Sequence, residues 1–249
     1  MWKATGPLGA VAVKLGYSAD GVTAEITTRE AAVLDALPDY TVIAGRSGPD
    51  VWYVTTWLDG PSTWDLFEPV RKGPDGRVTA LAGAVALCRA VAEFHAAGWA
   101  HGDLQPAHGI HTPAGAKLID FALSLRQGTL PWRKFEGGMT HLVSPELAAW
   151  INSGLQPVEP SPTADVYALA GTLWTCATGR WPLDYDAASI DVQLTSPADL
   201  RKAIAAGIPL TTERPWPQLQ SALGTVLTVP AADRPTAAEL GDLLMDVQL

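Results

Sequence analysis

An α+β fold, with a small β-rich lobe ahead of a larger helical lobe, is expected from three features of the sequence. β-type runs are confined to the first quarter, helix-period patterns fill the remainder, and the change falls near residues 57–60, where a cleft is expected. The chain has 249 residues, of which 47% are hydrophobic and 17% charged. That is too apolar for disorder and long enough to bury a sizeable core.

Residues 10–14 form a short β-rich run after a glycine. A helix is expected over 28–37, closed by Pro38. Residues 40–44 and 51–58 give two more strands around the turn-rich Arg46-Ser47-Gly48-Pro49-Asp50. Beyond Gly60, Leu81, Val85, Cys88, Val91 and His95 fall at helical spacing. Residues 165–178 are apolar on nearly all sides, which predicts a helix in the middle of a lobe. Ala237, Leu240, Leu243, Leu244 and Val247 predict a final amphipathic helix, with Thr236 and Glu239 placed as its capping box. The Pro/Ser stretch 156–162 reads as a loop within the helical part. One domain, 1–249, is expected, with lobes at 1–58 and 59–249.

Composition excludes some classes. The net charge is −9, with 26 acids against 17 bases, which argues against a general nucleic-acid or membrane-surface binder. The longest apolar candidate, 80–100, is broken by Arg89, Glu93 and His95, so no membrane span is expected. The opening residues lack the apolar core of a signal peptide, and a cytoplasmic location is expected. Cys88 and Cys176 lie in apolar helical patterns outside any C-x-x-C and read as buried small hydrophobes.

Six segments stand in a telling order: Val11-Ala12-Val13-Lys14, His101-Gly102-Asp103-Leu104-Gln105-Pro106-Ala107-His108, Asp120-Phe121-Ala122, Ser144-Pro145-Glu146, Asp165-Val166-Tyr167-Ala168-Leu169 and Asp233-Arg234-Pro235-Thr236. Together they resemble V-A-I-K, H-R-D-L-x-x-x-N, D-F-G, A-P-E and two late segments of the eukaryotic-like Ser/Thr protein kinases. Over nearly its whole length the chain resembles a divergent bacterial member of that family.

The resemblance implies a two-lobed kinase fold, ATP and Mg²⁺ as cofactors, and transfer of the γ-phosphoryl to Ser or Thr of a protein or peptide. It implies that Lys14 meets the α/β-phosphates and that Glu30, in a helix with Leu34 four residues on, aims that lysine. Ala12, Thr56, Trp57, Leu58 and Gln105 would border the nucleotide. Asp103 would take the acceptor hydroxyl's proton, and Asp120 would hold Mg²⁺. Glu146 and Arg234 would pair, Asp165 would bond the backbone of the loop at 101–108, and Leu34, Phe121 and His101 would stack. Read from the residues alone, Glu30 is equally the capping-box acid of Thr27, and His101 a core histidine bonding backbone.

The chain departs from the family in five places. No glycine-rich phosphate loop is present. Residues 1–5 match the strand after that loop, and Gly6-Pro7-Leu8-Gly9 joins two strands, so the expectation is a start upstream of Met1 or a nucleotide site without those amides. His108 replaces the asparagine that holds a second Mg²⁺, for which imidazole is a poor ligand. Gln105 replaces a lysine, Gly102 the arginine of H-R-D, and Ala122 the glycine of D-F-G. These features keep a second expectation open, a pseudokinase that binds or regulates another protein. H-G-D keeps open a third, a small-molecule kinase. A partner protein completing the first lobe is also expected.

Overall fold

The computed structural model describes all residues except Leu8, Lys134 and Leu249, so part of the expected turn at 6–9 lies outside the described residues. The chain is an α+β protein with one four-stranded antiparallel sheet and, among the described residues, nine α-helices. It divides into two compact units. The first is Met1–Asp59 with Asp120–Ser124, and the second is Gly60–Ile119 with Leu125–Leu249. The return of Asp120–Ser124 to the first unit was not foreseen.

In the first unit β1 (Trp2–Gly6), β2 (Gly9–Gly16), β3 (Val42–Ser47) and β4 (Asp50–Thr56) form a sheet of order β1-β2-β4-β3, and α1 (Thr23–Ala36) lies between β2 and β3 in sequence. The β2–β4 register sets Lys14 directly opposite Tyr53, on one face of the sheet. Helix α1 packs on this sheet and on the 3-10 turn Phe121–Leu123, burying Thr27, Glu30, Ala31, Val33 and Leu34.

Three expectations need correction here. Helix α1 begins at Thr23 rather than 28, so Thr27 lies inside it and is 1% exposed. Thr27 therefore caps nothing, and the capping-box reading of Glu30 falls. The strand expected at 40–44 starts at Val42, because Tyr40 instead sets its ring edge-on to Phe121 at 5.3 Å. Strand β4 stops at Thr56, and Trp57 keeps only a longer bond from its N–H to the Ala10 carbonyl, 3.2 Å.

The second unit contains α2 (Thr63–Leu66), α3 (Glu68–Lys72), α4 (Arg77–Ala96), β5 (Trp99–Ala100), β6 (Gly109–Thr112), β7 (Gly115–Leu118), β8 (Leu125–Arg126), α5 (Pro145–Asn152), α6 (Pro162–Thr178), α7 (Pro197–Ala206), α8 (Pro217–Leu227) and α9 (Ala237–Met245). Its axis is α6, 13 of whose 17 residues are buried, in line with its all-round apolar sequence. Helices α3 and α8 pack on α6, and α9 packs on α4. The helices start on local signals. Ser161 and Ser196 each precede a proline and accept a backbone N–H, and Thr236 and Glu239 form the expected capping box. The two-stranded ladders β5–β8 and β6–β7 were not expected, since runs of two to four residues carry too little periodicity to read. One helix, α4, has the length and mean hydropathy of a membrane span; eight of its residues are buried within the unit, as in a core helix.

Candidate functional site

In the first unit, Lys14 on β2, Glu30 on α1 and Asp120 form one ionic group. The Lys14 ammonium donates to Glu30 Oε2 and lies 3.5 Å from Asp120 Oδ1. The Tyr53 hydroxyl bonds the same Glu30 carboxylate. Burial pulls Lys14 toward its neutral form, but the carboxylates of Glu30 and Asp120 outweigh that and raise its pKa, so its charge is held through the neutral range. Burial, with the charge of Glu30 beside it, pushes the Tyr53 hydroxyl well up, so it keeps its proton and donates. An ammonium has three N–H donors, and two are engaged here. Glu30 is sealed, with a side chain 2% exposed, whereas Asp120 is 36% exposed and forms the open end of the group.

Asp120 holds φ 63 and ψ 66, the left-handed region that side chains other than glycine rarely adopt. Such strain persists only where the surroundings enforce it, and it clusters at functional sites. Here Arg29 enforces it, since its guanidinium donates to the carbonyls of Ala122 at 3.2 Å and Ser124 at 3.3 Å. Phe121 is buried against Tyr40. Ala122 sits in the 3-10 turn, a conformation an alanine takes without penalty. Ala12 is buried, Leu34 is buried on α1, Thr56 is exposed and Leu58 half-buried. Trp57 carries the Lys3 ammonium over its ring at 4.7 Å, and Lys3 also pairs with Asp59 at 3.3 Å.

In the second unit, the loop at 101–108 is hung from Asp165, near the start of α6. The Asp165 carboxylate accepts from the N–H of His101 (2.6 Å) and of Gly102 (2.9 Å) and bonds His95 Nε2 (3.0 Å). Gly102 has φ 77, so glycine stands where an arginine would be strained. His101 is a core histidine, as one reading had it: Nδ1 accepts from the Asp103 N–H at 3.3 Å and Nε2 donates to the Ile119 carbonyl at 3.1 Å. His108 Nδ1 donates to the Asp103 carbonyl at 2.8 Å.

The Asp103 carboxylate is oriented from two sides. Oδ1 accepts the Met139 N–H at 3.0 Å, and Oδ2 accepts from Gln105 Nε2 at 3.1 Å. Gln105, expected beside the nucleotide, is hydrogen-bonded to Asp103. The segment carrying Met139 comes so close that a Cβ on Gly138 would stand 2.1 Å from Asp103 Oδ1 and 2.9 Å from its Cα, so only glycine fits there. Among the described residues no group of three or more His, Cys, Asp or Glu side chains is arranged to hold a metal.

Arg234 and Glu146 form a two-pronged pair at 2.6 and 2.8 Å. The arginine is 2% exposed, also donates to the Thr163 carbonyl at 3.1 Å, and lies over the Tyr167 ring. Glu146 is 41% exposed, so the pair is buried at one end only. Glu146→Ala is expected to cost about 2 kcal/mol, below the usual ~3–5 for a fully buried pair, because Arg234 keeps two contacts. Urea unfolding measures this, and a loss under about 0.5 kcal/mol would mean the pair contributes no more than an ordinary surface contact. Burial alone would raise the Glu146 carboxyl, but the hydrogen bonds from Arg234, Ser144 and its own backbone N–H, with the Arg234 charge, together outweigh it and lower the pKa. The stabilisation is therefore complete above about pH 4.5 and lost as pH falls through the depressed value, so Glu146→Gln should flatten the acid limb of the stability profile.

Sequence reasoning missed Arg29 and Tyr53, and it read Gly137-Gly138-Met139-Thr140 as resembling the family's acceptor-binding region without foreseeing the contact of Gly138 and Met139 with Asp103. Arg29 and Tyr53 are next to, or across a strand from, residues it found, but nothing local marks their targets. Gly138 and Met139 act through close approach and a backbone N–H, which carry no side-chain signature. No known protein family matches this chain in a comparison with family sequence profiles.

Proposed function

We propose that the protein is a protein-kinase-like phosphotransferase that moves the γ-phosphoryl of ATP to a Ser or Thr hydroxyl of a protein or peptide, in the bacterial cytoplasm. The observation that carries this reading is the Lys14–Glu30–Asp120 group, in which a buried carboxylate fixes a charged lysine and a left-handed aspartate points the open carboxylate at it. Strained residues and charged groups gathered around one another cluster at functional sites, and an open carboxylate beside a fixed ammonium suits the handling of phosphate and metal.

In this reading the remaining Lys14 N–H meets a phosphate oxygen, and Asp120 holds Mg²⁺. The metal supplies charge neutralisation on the phosphates. Asp103, held by Gln105 and the Met139 N–H, accepts the acceptor's proton as the acceptor oxygen bonds to the γ-phosphorus; the bond from that phosphorus to the β–γ bridging oxygen breaks, and ADP leaves. His108 serves by orienting the Asp103 backbone, and Asp165 by fixing the loop.

Nucleotide binding tests the reading directly. At 100 times Kd, ATP with Mg²⁺ should stabilise the protein by about 2.7 kcal/mol, or roughly 5–11 °C in Tm. Lys14→Met should abolish that shift and with it the transfer of labelled γ-phosphate to a Ser/Thr peptide library. No shift for the unaltered protein would leave the pseudokinase reading in its place.

A further inference from the structure

We infer that His141 is a positioning residue for Asp103. Clamped by Trp181 and Tyr185, it fixes the turn at 140–142 and so holds the Met139 N–H against the Asp103 carboxylate. The chemistry of this inference rests on the phosphotransferase reading; its geometry does not.

The Met139 N–H needs such an anchor. It donates to Asp103 Oδ1 at 3.0 Å, and it follows Gly137, at φ 84, and Gly138. Glycine has the freest backbone of any residue, so two in a row leave the direction of that N–H poorly fixed from the N-terminal side. On the C-terminal side stands the 3-10 turn Thr140–Leu142, in which the Leu142 N–H donates to the Met139 carbonyl at 2.9 Å. Leu142 is buried and packs closely on α6, where a Cβ on Gly171 would stand 2.9 Å from its Cδ2.

His141 locks the turn through its side chain. Its ring stacks on Trp181 with centroids 4.5 Å apart and planes at 18°, and meets the Tyr185 ring edge-on at 5.4 Å. His141 Nδ1 lies 3.0 Å from the Tyr185 hydroxyl, a hydrogen bond. Burial lowers the imidazole pKa and raises that of the phenol, so both groups are neutral at pH 7. The segment beneath them is itself tied down. The Asp184 N–H donates to the Pro209 carbonyl and the Thr211 N–H to the Pro182 carbonyl, each at 2.8 Å. An alanine at 141 would remove the stack, the edge contact and the hydrogen bond together.

Amide hydrogen exchange, read beside kinetics, tests this. In His141→Ala the Met139 N–H is expected to exchange at least about tenfold faster, with the His101 and Gly102 amides, held by Asp165, unchanged. A misaimed proton acceptor costs turnover, so kcat should fall about 10–100-fold. KM for ATP should stay within about twofold, because the Lys14 group belongs to the other unit. Tyr185→Phe removes one oxygen only and should speed Met139 exchange at least about threefold, which decides the matter if the alanine protein does not fold. A histidine that only packs would lower Tm and move neither reading. Met139 exchange or kcat within about twofold of the original in His141→Ala would therefore overturn the inference. Absence of transfer by the unaltered chain would overturn the phosphotransferase reading instead, and Met139 exchange would still decide the clamp.

Discussion

Asp120→Asn is expected to lower phosphoryl transfer by at least about 1,000-fold while the protein stays folded. The substitution removes the one carboxylate of the Lys14 group that is open to solvent, and with it the hard anionic oxygen that Mg²⁺ requires. It leaves the backbone unharmed, because asparagine is the residue that best tolerates the left-handed conformation after glycine. Lys14 keeps its bond to Glu30, so the strand–helix link survives. The check is kcat/KM for labelled phosphate transfer, read together with far-ultraviolet circular dichroism and Tm. Turnover within about tenfold of the original, with the fold intact, would remove Asp120 from the chemistry and the phosphotransferase reading with it.

The largest loss of stability is expected from Asp165→Ala. This carboxylate is nearly fully buried and satisfies three donors at once, the N–H groups of His101 and Gly102 and the His95 ring. A hydrogen bond to a charged group contributes about 1.5–3 kcal/mol. We expect a loss of about 4 kcal/mol or more, a fall of roughly 8–16 °C in Tm. Asp165→Asn, which keeps a carbonyl acceptor, should fall between the two and remain measurable if the alanine protein does not fold. A loss under about 1 kcal/mol for alanine would mean the loop is held by other contacts.

Both predictions start from residues visible in the sequence, yet the reasons for their size are not. The Asp120-Phe121-Ala122 and Asp165-Val166-Tyr167 segments could be marked by order and spacing. That Asp120 sits left-handed, and that Asp165 gathers donors from α4 and from the loop at 101–108, depends on chain segments far apart in sequence. Helix α6 and the capping box of α9 were legible because periodicity and capping are local. The start of α1 was not, because residues 23–27 carry no decisive stripe and the burial of Thr27 comes from packing on the sheet.

By itself the sequence determined the α+β composition, which rests on local patterns, while the pairing of Glu146 with Arg234 was implied by the family resemblance and is present in the structure. Tertiary structure alone decided that residues 120–124 return to the first unit, that Glu30 serves Lys14 and not Thr27, and that Gln105 and the Met139 N–H grip Asp103. The physical reason is the same each time. A side chain's partner is set by which backbones approach within about 3 Å, and closeness in space between distant segments leaves no mark on either one alone.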